Sequence, residues 1–183
     1  TDLLVGVRQR GARVVVLTNS LASTDGVHVH SKYQLYREPL LRAGVELYEL
    51  KPTAGAQRGG RSGAFRGLSG PIGSGSAALH AKTFAFDRRI GFIGSYNLDP
   101  RSSKLNTEMG VLFDCPKLVR RLPERQDRDI GQNAYRVELV GNRLRWVTRE
   151  GGKELRFDSE PETSLWKRIQ VRVLSWLPIE SLL

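Results

Sequence analysis

Arg13-Val14-Val15-Val16-Leu17-Thr18 is the stretch on which the fold reading turns. A continuous run rich in β-branched residues, with no polar residue at alternate positions from Val14 to Leu17, is what a strand covered on both faces looks like. Outward from it, Tyr33, Tyr36, Leu40 and Leu41 fall at helical spacing within Tyr33–Arg42, and Gly44 follows as a cap. Val45 to Leu50 reads as a second strand. A strand, a helix and a strand in that order imply a right-handed parallel crossover and so an α/β layered fold. On the other side of the first strand, Asp2 to Arg10 reads as the tail of a helix that Gly11 ends.

Further along, residues 55–76 are crowded with Gly and Ser and carry Arg58, Arg61 and Arg66, the composition of a mobile surface loop. Such a loop either has no role or acts as a flap over substrate, and the plainer reading is preferred. Leu79–Asp87 and Ile90–Asn97 read as a hairpin joined at Arg88-Arg89, followed by a strand over Glu108–Phe113 and a charged helix over Pro116–Arg128. A second hairpin, Tyr135–Val140 with Leu144–Val147, turns at Gly141-Asn142 and is extended by Leu155–Phe157, an appendage over 135–158. The spacing predicts a last helix over Thr163–Trp176, stopping at Pro178. No internal repeat is visible.

With 183 residues, 39% of them hydrophobic, the chain is sized for one compact domain. The lone Cys115 excludes an internal disulfide and fits a reducing compartment. A net charge of +10 attracts polyanions: nucleic acid, anionic lipid surfaces or phosphorylated substrates. No apolar run approaches the roughly 20 residues that span a bilayer. The chain opens on Thr1, and Asp2-Leu3-Leu4-Val5 reads as mid-helix, so an upstream portion is expected. His28-x-His30 would share a face if it lay on a strand, but no third ligand is evident and an ordinary pair of histidines is the better reading.

The chemistry concentrates in the first hairpin. Along Leu79-His80-Ala81-Lys82-Thr83-Phe84 the side chains alternate, so His80 and Lys82 point the same way, roughly 6–7 Å apart. A phosphate fits between them. Ser95 and Asn97 share a face of the next strand by the same rule, and Gly94 leaves room for a close approach. A lone strand histidine or lysine is usually packed or solvated, and Ser and Asn after Gly usually make a turn. Together, however, an imidazole, an ammonium, a hydroxyl and an amide form a proton carrier or nucleophile beside an electrostatic clamp for a phosphoryl group.

The spacing His80-x-Lys82, four residues to Asp87, six more to Gly94-Ser95 and then Asn97 resembles the signature of the phospholipase D superfamily at every fixed position. Asp99-Pro100-Arg101-Ser102 and Asn106-Thr107-Glu108-Met109-Gly110 are similar to bacterial cardiolipin synthases, and the likeness to their C-terminal half covers nearly the whole chain, 1–183. The resemblance implies an α-β-α sandwich around a mixed, largely parallel sheet. It implies two motifs assembling one site. One histidine attacks phosphorus to form a phosphohistidine, and the other protonates the leaving alcohol and then activates the acceptor. His80 would be the acid/base, Lys82 and Asn97 would hold the phosphate oxygens, and Ser95 would support His80 or the phosphate. Glu108 would orient the catalytic histidine, and Asp87 would support structure more than touch substrate. The implied chemistry needs no metal and no cofactor, since the clamp supplies the positive charge.

Only one motif is present, so the resemblance implies a partner: a missing N-terminal half or a second copy of the chain. The expected substrates are phosphatidylglycerol and phosphatidylethanolamine at an anionic membrane, peripheral on the cytoplasmic side of a bacterial inner membrane. The alternative is a phosphodiesterase of the same superfamily acting on nucleic acid. Over 163–177 the last helix places Leu165, Trp166, Ile169, Val173, Trp176 and Leu177 on one side, with Lys167, Arg168 and Arg172 elsewhere. That pattern suits an interfacial lipid anchor or, the preferred reading, a helix docked on its own domain.

Overall fold

The computed structural model describes residues 1–24, 26–54, 82–99, 102, 104–121 and 130–176. The Gly-rich stretch 55–76, His80, most of the helix expected after Pro116, and the end of the chain beyond Trp176 lie outside them.

The opening helix α1 (Asp2–Gln9) leads to β1 (Val15–Asn19), then α2 (Val27–Arg42) and β2 (Glu46–Leu50). β1 and β2 pair in parallel, Val15 opposite Glu46 and Asn19 opposite Leu50, as the strand-helix-strand order requires. α2 ends as expected at Gly44, whose φ is 83°. The Val45 N–H reaches the Leu40 carbonyl and the Gly44 N–H that of Leu41, the paired bonds that close a helix on a left-handed residue. α2 begins at Val27, six residues before the apolar spacing does. His28 and His30 therefore lie on a helix and not on a strand, and His30 and Ser31 are buried there. No apolar periodicity marks that first turn, because polar burial holds it in place.

A five-stranded sheet runs β1-β2-β6-β7-β8, with β6 (Ala134–Val140), β7 (Arg143–Glu150) and β8 (Lys153–Phe157). It is a mixed sheet of an α/β chain, but the expectation of a largely parallel one is corrected: among the described residues β1 with β2 is its one parallel pair. The later strands arrive through tight hairpins at Gly141-Asn142 and Gly151-Gly152, and so short a link can only reverse the chain. A separate antiparallel meander holds β3 (Lys82–Phe86), β4 (Ile90–Gly94) and β5 (Gly110–Asp114), followed by a short helix α3 (Pro116–Val119).

On one face of the larger sheet a single row of cross-strand neighbours, Val16, Leu47, Val137, Trp146 and Phe157, crosses all five strands. Leu47, Tyr135, Val137 and Trp146 are the buried centre of this core, and Tyr33 and Leu41 of α2 pack against it. Two residues along β2 on the same face comes Glu49, a buried carboxylate. The Arg37 guanidinium, 2% exposed, meets it, with Nε donating to Glu49 Oε1 at 2.7 Å. Tyr33 Oη donates to the same oxygen at 3.0 Å and Trp146 Nε1 donates to Oε2 at 2.9 Å. Arg37 also donates from Nη1 to Glu160 Oε1 at 2.5 Å and from Nη2 to His30 Nε2 at 2.8 Å, so that ring nitrogen acts as an acceptor. Burial alone would push the Glu160 carboxyl up, but the Arg37 guanidinium bonded to it opposes that, and the carboxyl is held at about 2.

Past Glu160 the chain enters α4 (Leu165–Trp176). Its Val171 and Ser175 are buried, and α2 fixes its rotation: Gln34 Nε2 donates to the Val171 carbonyl and Lys32 Nζ to that of Ser175. The helix is thus docked on its own domain, as preferred, but through the Val171–Ser175 side and not through its tryptophans. Among the described residues no helix is long and apolar enough to cross a membrane.

Removing one partner of a buried pair strands the other charge, at a cost of about 3–5 kcal/mol. Arg37→Ala should lower unfolding free energy by that amount in urea denaturation, and a loss within ~0.5 kcal/mol, the range of an ordinary surface change, would contradict the role assigned to Arg37. Glu160 has a folded value depressed from 4.5 to about 2, so its contribution is present above 4.5 and lost as pH falls toward 2. The urea midpoint of the wild type should drop across that window more steeply than that of Glu160→Gln.

Candidate active site

The meander brings the signature residues together by register. Lys82 of β3 pairs with Gly94 of β4, and Gly94 pairs with Gly110 of β5, so one row across the sheet reads Lys82, Gly94, Gly110. The next row on that face is Phe84, Phe92 and Leu112. The Phe84 and Phe92 rings lie 5.5 Å apart. A Cβ built on Gly94 would stand 2.5 Å from the Met109 carbonyl oxygen and 2.8 Å from Gly110 Cα, and one on Gly110 would meet the Phe92 ring at 2.3 Å. The missing side chain at Gly94, expected to leave room for a close approach of substrate or backbone, admits the backbone of the neighbouring strand.

Ser95 and Asn97 were expected on the strand, but β4 ends at Gly94 and both follow it. Ser95 stays tied to the sheet. Its N–H donates to the Met109 carbonyl at 2.8 Å, its hydroxyl donates to Glu108 Oε2, and that hydroxyl oxygen accepts the Met109 N–H at 3.0 Å. Asn106 Nδ2 donates to Glu108 Oε1 at 3.4 Å. Glu108 precedes Gly110 by two residues, which gives it the parity of the Lys82 row. The Ser95 hydroxyl holds the Glu108 carboxyl below its usual range; the hydroxyl of Ser102 adds to this, desolvation opposes it slightly, and Asn106 and the charge of Lys82 complete it. The Ser102 Oγ is buried without a hydrogen-bond partner among the described residues, so Ser95 is the hydroxyl bonded to Glu108. Asp99 supports this corner, with Oδ1 accepting the Ser102 N–H at 2.7 Å.

Lys82, Ser95 and Glu108 therefore converge, and Asn97 stands exposed on the segment leaving Ser95. His80 lies outside the described residues, two positions before Lys82 in sequence. Asp87 is not part of this group. It occupies the hairpin turn with φ 50°, followed by Arg88 at 55°, at the opposite end of β3 and roughly 16 Å of strand from Lys82. The bond from Ser95 to Glu108 escaped the sequence reading, which assigned Glu108 to a histidine. The Asp99-x-x-Ser102 spacing, that of a side-chain cap, was the visible hint that this corner is built from local hydrogen bonds. Also missed was the Arg37, Glu49 and Glu160 network, whose members are scattered through the sequence. Among the described residues no group of His, Cys, Asp and Glu could hold a metal ion.

A cation beside an ionised carboxylate, set on an antiparallel hairpin by the spacing His80-x-Lys82 to Gly94-Ser95-x-Asn97, defines a phospholipase D-like chain. The chain belongs to the family described as cardiolipin synthase, PLD-like domain, whose model matches residues 1–130. It is 43% identical over 181 residues to cardiolipin synthase C of Escherichia coli (strain K12), covering 98% of this chain and 37% of that protein. An uncharacterized protein of Helicobacter pylori (strain J99) is 34% identical over 161 residues, 87% of this chain and 30% of its own. A cardiolipin synthase of Oceanobacillus iheyensis is 45% identical over 53 residues, 28% of this chain and 11% of that protein. The chain thus spans about a third of the length of the first two of these relatives. No solved structure matches it significantly.

Two outcomes check this geometry. Ser95→Ala should move the Glu108 carboxyl up toward the ordinary carboxylate range, read from the side-chain carbon shift in a pH titration by NMR; an unmoved Glu108 would contradict the assigned bond. Gly94→Ala should destabilise the protein by about 1–3 kcal/mol, since the added methyl meets backbone and not a yielding side chain.

Proposed function

We propose that this chain supplies the second of two half-sites of a phosphatidyl transferase that makes cardiolipin. The observation that supports the reading is 43% identity to a cardiolipin synthase across nearly the whole chain, whose sequence carries His80, Lys82, Ser95, Asn97 and Glu108. In the first step a histidine nitrogen attacks phosphorus, a P–N bond forms, the P–O bond to the departing alcohol breaks, and that alcohol takes a proton from the second histidine. In the second step the now basic histidine takes the proton of an acceptor hydroxyl, whose oxygen displaces the phosphohistidine nitrogen. His80 is assigned the acid/base part, with the nucleophile on the other half.

Lys82 and Asn97 hold the non-bridging oxygens, where fixed positive charge and an amide donor favour the transition state. Glu108, kept ionised by Ser95, orients His80 and stabilises its imidazolium. Asp87 acts as a turn residue. Phosphatidylglycerol is the acceptor, and phosphatidylglycerol or phosphatidylethanolamine the donor. The setting is the inner membrane surface of a bacterium, approached from the cytoplasmic side. The other half is an upstream portion carrying its own motif, or else a second copy of this chain.

A lipid-product assay tests the reading. Phosphatidylglycerol vesicles, with and without phosphatidylethanolamine, are given to this chain and to a longer version carrying an upstream motif-bearing half. The longer protein should make cardiolipin, and His80→Ala should lower its rate by on the order of 10²–10⁴-fold. Activity of the short chain alone would assign the second half-site to a homodimer. If neither protein acts on lipid while both cut nucleic acid at low salt, the lipid reading is wrong and the phosphodiesterase one replaces it.

A further inference from the structure

The docking of α4 leaves its other side uncovered. Trp166, Ile169, Val173 and Trp176 recur at steps of three and four residues and form one ridge along the helix. At roughly 100° per residue, Val171 and Ser175, the docked positions, point to the side opposite this ridge. The ridge is open: Trp166 is 76% exposed, Trp176 78%, and Ile169 and Val173 about half. The hydrogen bonds from Gln34 and Lys32 to the Val171 and Ser175 carbonyls prevent the helix from rolling the tryptophans inward.

We propose that this ridge seats the protein on an anionic lipid surface. The helix carries Lys167, Arg168 and Arg172 and no carboxylate, and Arg172 is exposed beside the ridge. The chain as a whole is at +10. Cationic side chains next to an apolar stripe fit a layer of anionic headgroups over acyl chains. Large amphipathic rings at both ends, separated by about 15 Å of helix, suit a flat lie at the boundary, where an indole buries its rings and keeps its N–H wet. A second copy of the chain would bring three more cations against these three, which the charge pattern disfavours. The inference deepens the lipid reading above, since an enzyme of bilayer lipids has to sit on the bilayer, but it concerns binding and not turnover.

Vesicles of phosphatidylcholine with phosphatidylglycerol, carrying brominated acyl chains, report the contact through tryptophan fluorescence. Trp146 is buried in the core at 4% exposure and serves as the unquenched reference. Emission from Trp166 and Trp176 should shift to the blue and be quenched, and phosphatidylcholine alone should bind more weakly. Trp166→Ser with Trp176→Ser should weaken vesicle binding by about tenfold. Val173→Glu, on the same ridge, should weaken it too, each variant keeping the circular dichroism of the parent. Binding without quenching, or equal binding by the variants, would overturn the proposal. So would a dimer in sedimentation that the variants dissociate while vesicles leave the fluorescence unchanged. Quenching without any phosphatidyl transfer by the longer protein would keep this inference and remove the transferase reading; transfer with an unquenched ridge would do the reverse.

Discussion

The Arg37 guanidinium lies between the rings of Tyr33 and Trp146, 5.0 and 5.3 Å from their centroids, and ties together parts of the chain more than a hundred residues apart. Its partner Glu49 stands on the apolar face of the larger sheet, where an unpaired carboxylate would be costly. Every described contact of that carboxylate is a donor: guanidinium, phenol and indole. A well-packed apolar pair could be as stable, since a buried ion pair often gains little net free energy. What the pair specifies is position. It fixes the height and rotation of α2 over β2 and, through Glu160, the path by which the chain enters α4.

The small meander obeys a different rule. Its site depends on glycines that let strands and phenylalanine rings close together, and on a serine that ties the end of β4 to the start of β5. Fixing Glu108 before any substrate arrives is the kind of preorganisation that lets charges act without rearranging during reaction. The bonds between Ser95 and Met109 carry the sheet one step past its last regular pair, so Ser95 and Glu108 sit at strand ends and not mid-strand.

How much of this was legible follows from the range of the forces involved. The parallel pair of β1 and β2 was readable because apolar runs and the Gly44 cap are local signals. Lys82, Ser95 and Glu108 could be singled out because motif spacing sets them within a short span, but strand alternation misplaced Ser95, which lies past the end of β4. The start of α2 was not, because His28, His30 and Ser31 have no helical apolar pattern and His30 is held by Arg37 further along the helix and by the distant Glu160. Sheet direction was misjudged since the resemblance implied parallel strands, while the hairpins at Gly141 and Gly151-Gly152 force reversal. Asp87 matched a motif position, and the structure sets it in the hairpin turn, at the far end of β3 from Lys82.

The central claim is that Lys82, Asn97 and the residues beside them form the receptor for a phosphoryl group. A crystal structure of the longer, two-motif protein grown with orthovanadate, a mimic of pentacoordinate phosphorus, tests it most directly. The account predicts vanadium bonded to a histidine nitrogen, with His80 facing the opposite oxygen, Lys82 Nζ and Asn97 Nδ2 on the equatorial oxygens and Glu108 behind His80. Vanadate bound elsewhere, with Lys82 and Asn97 turned away from it, would contradict the account.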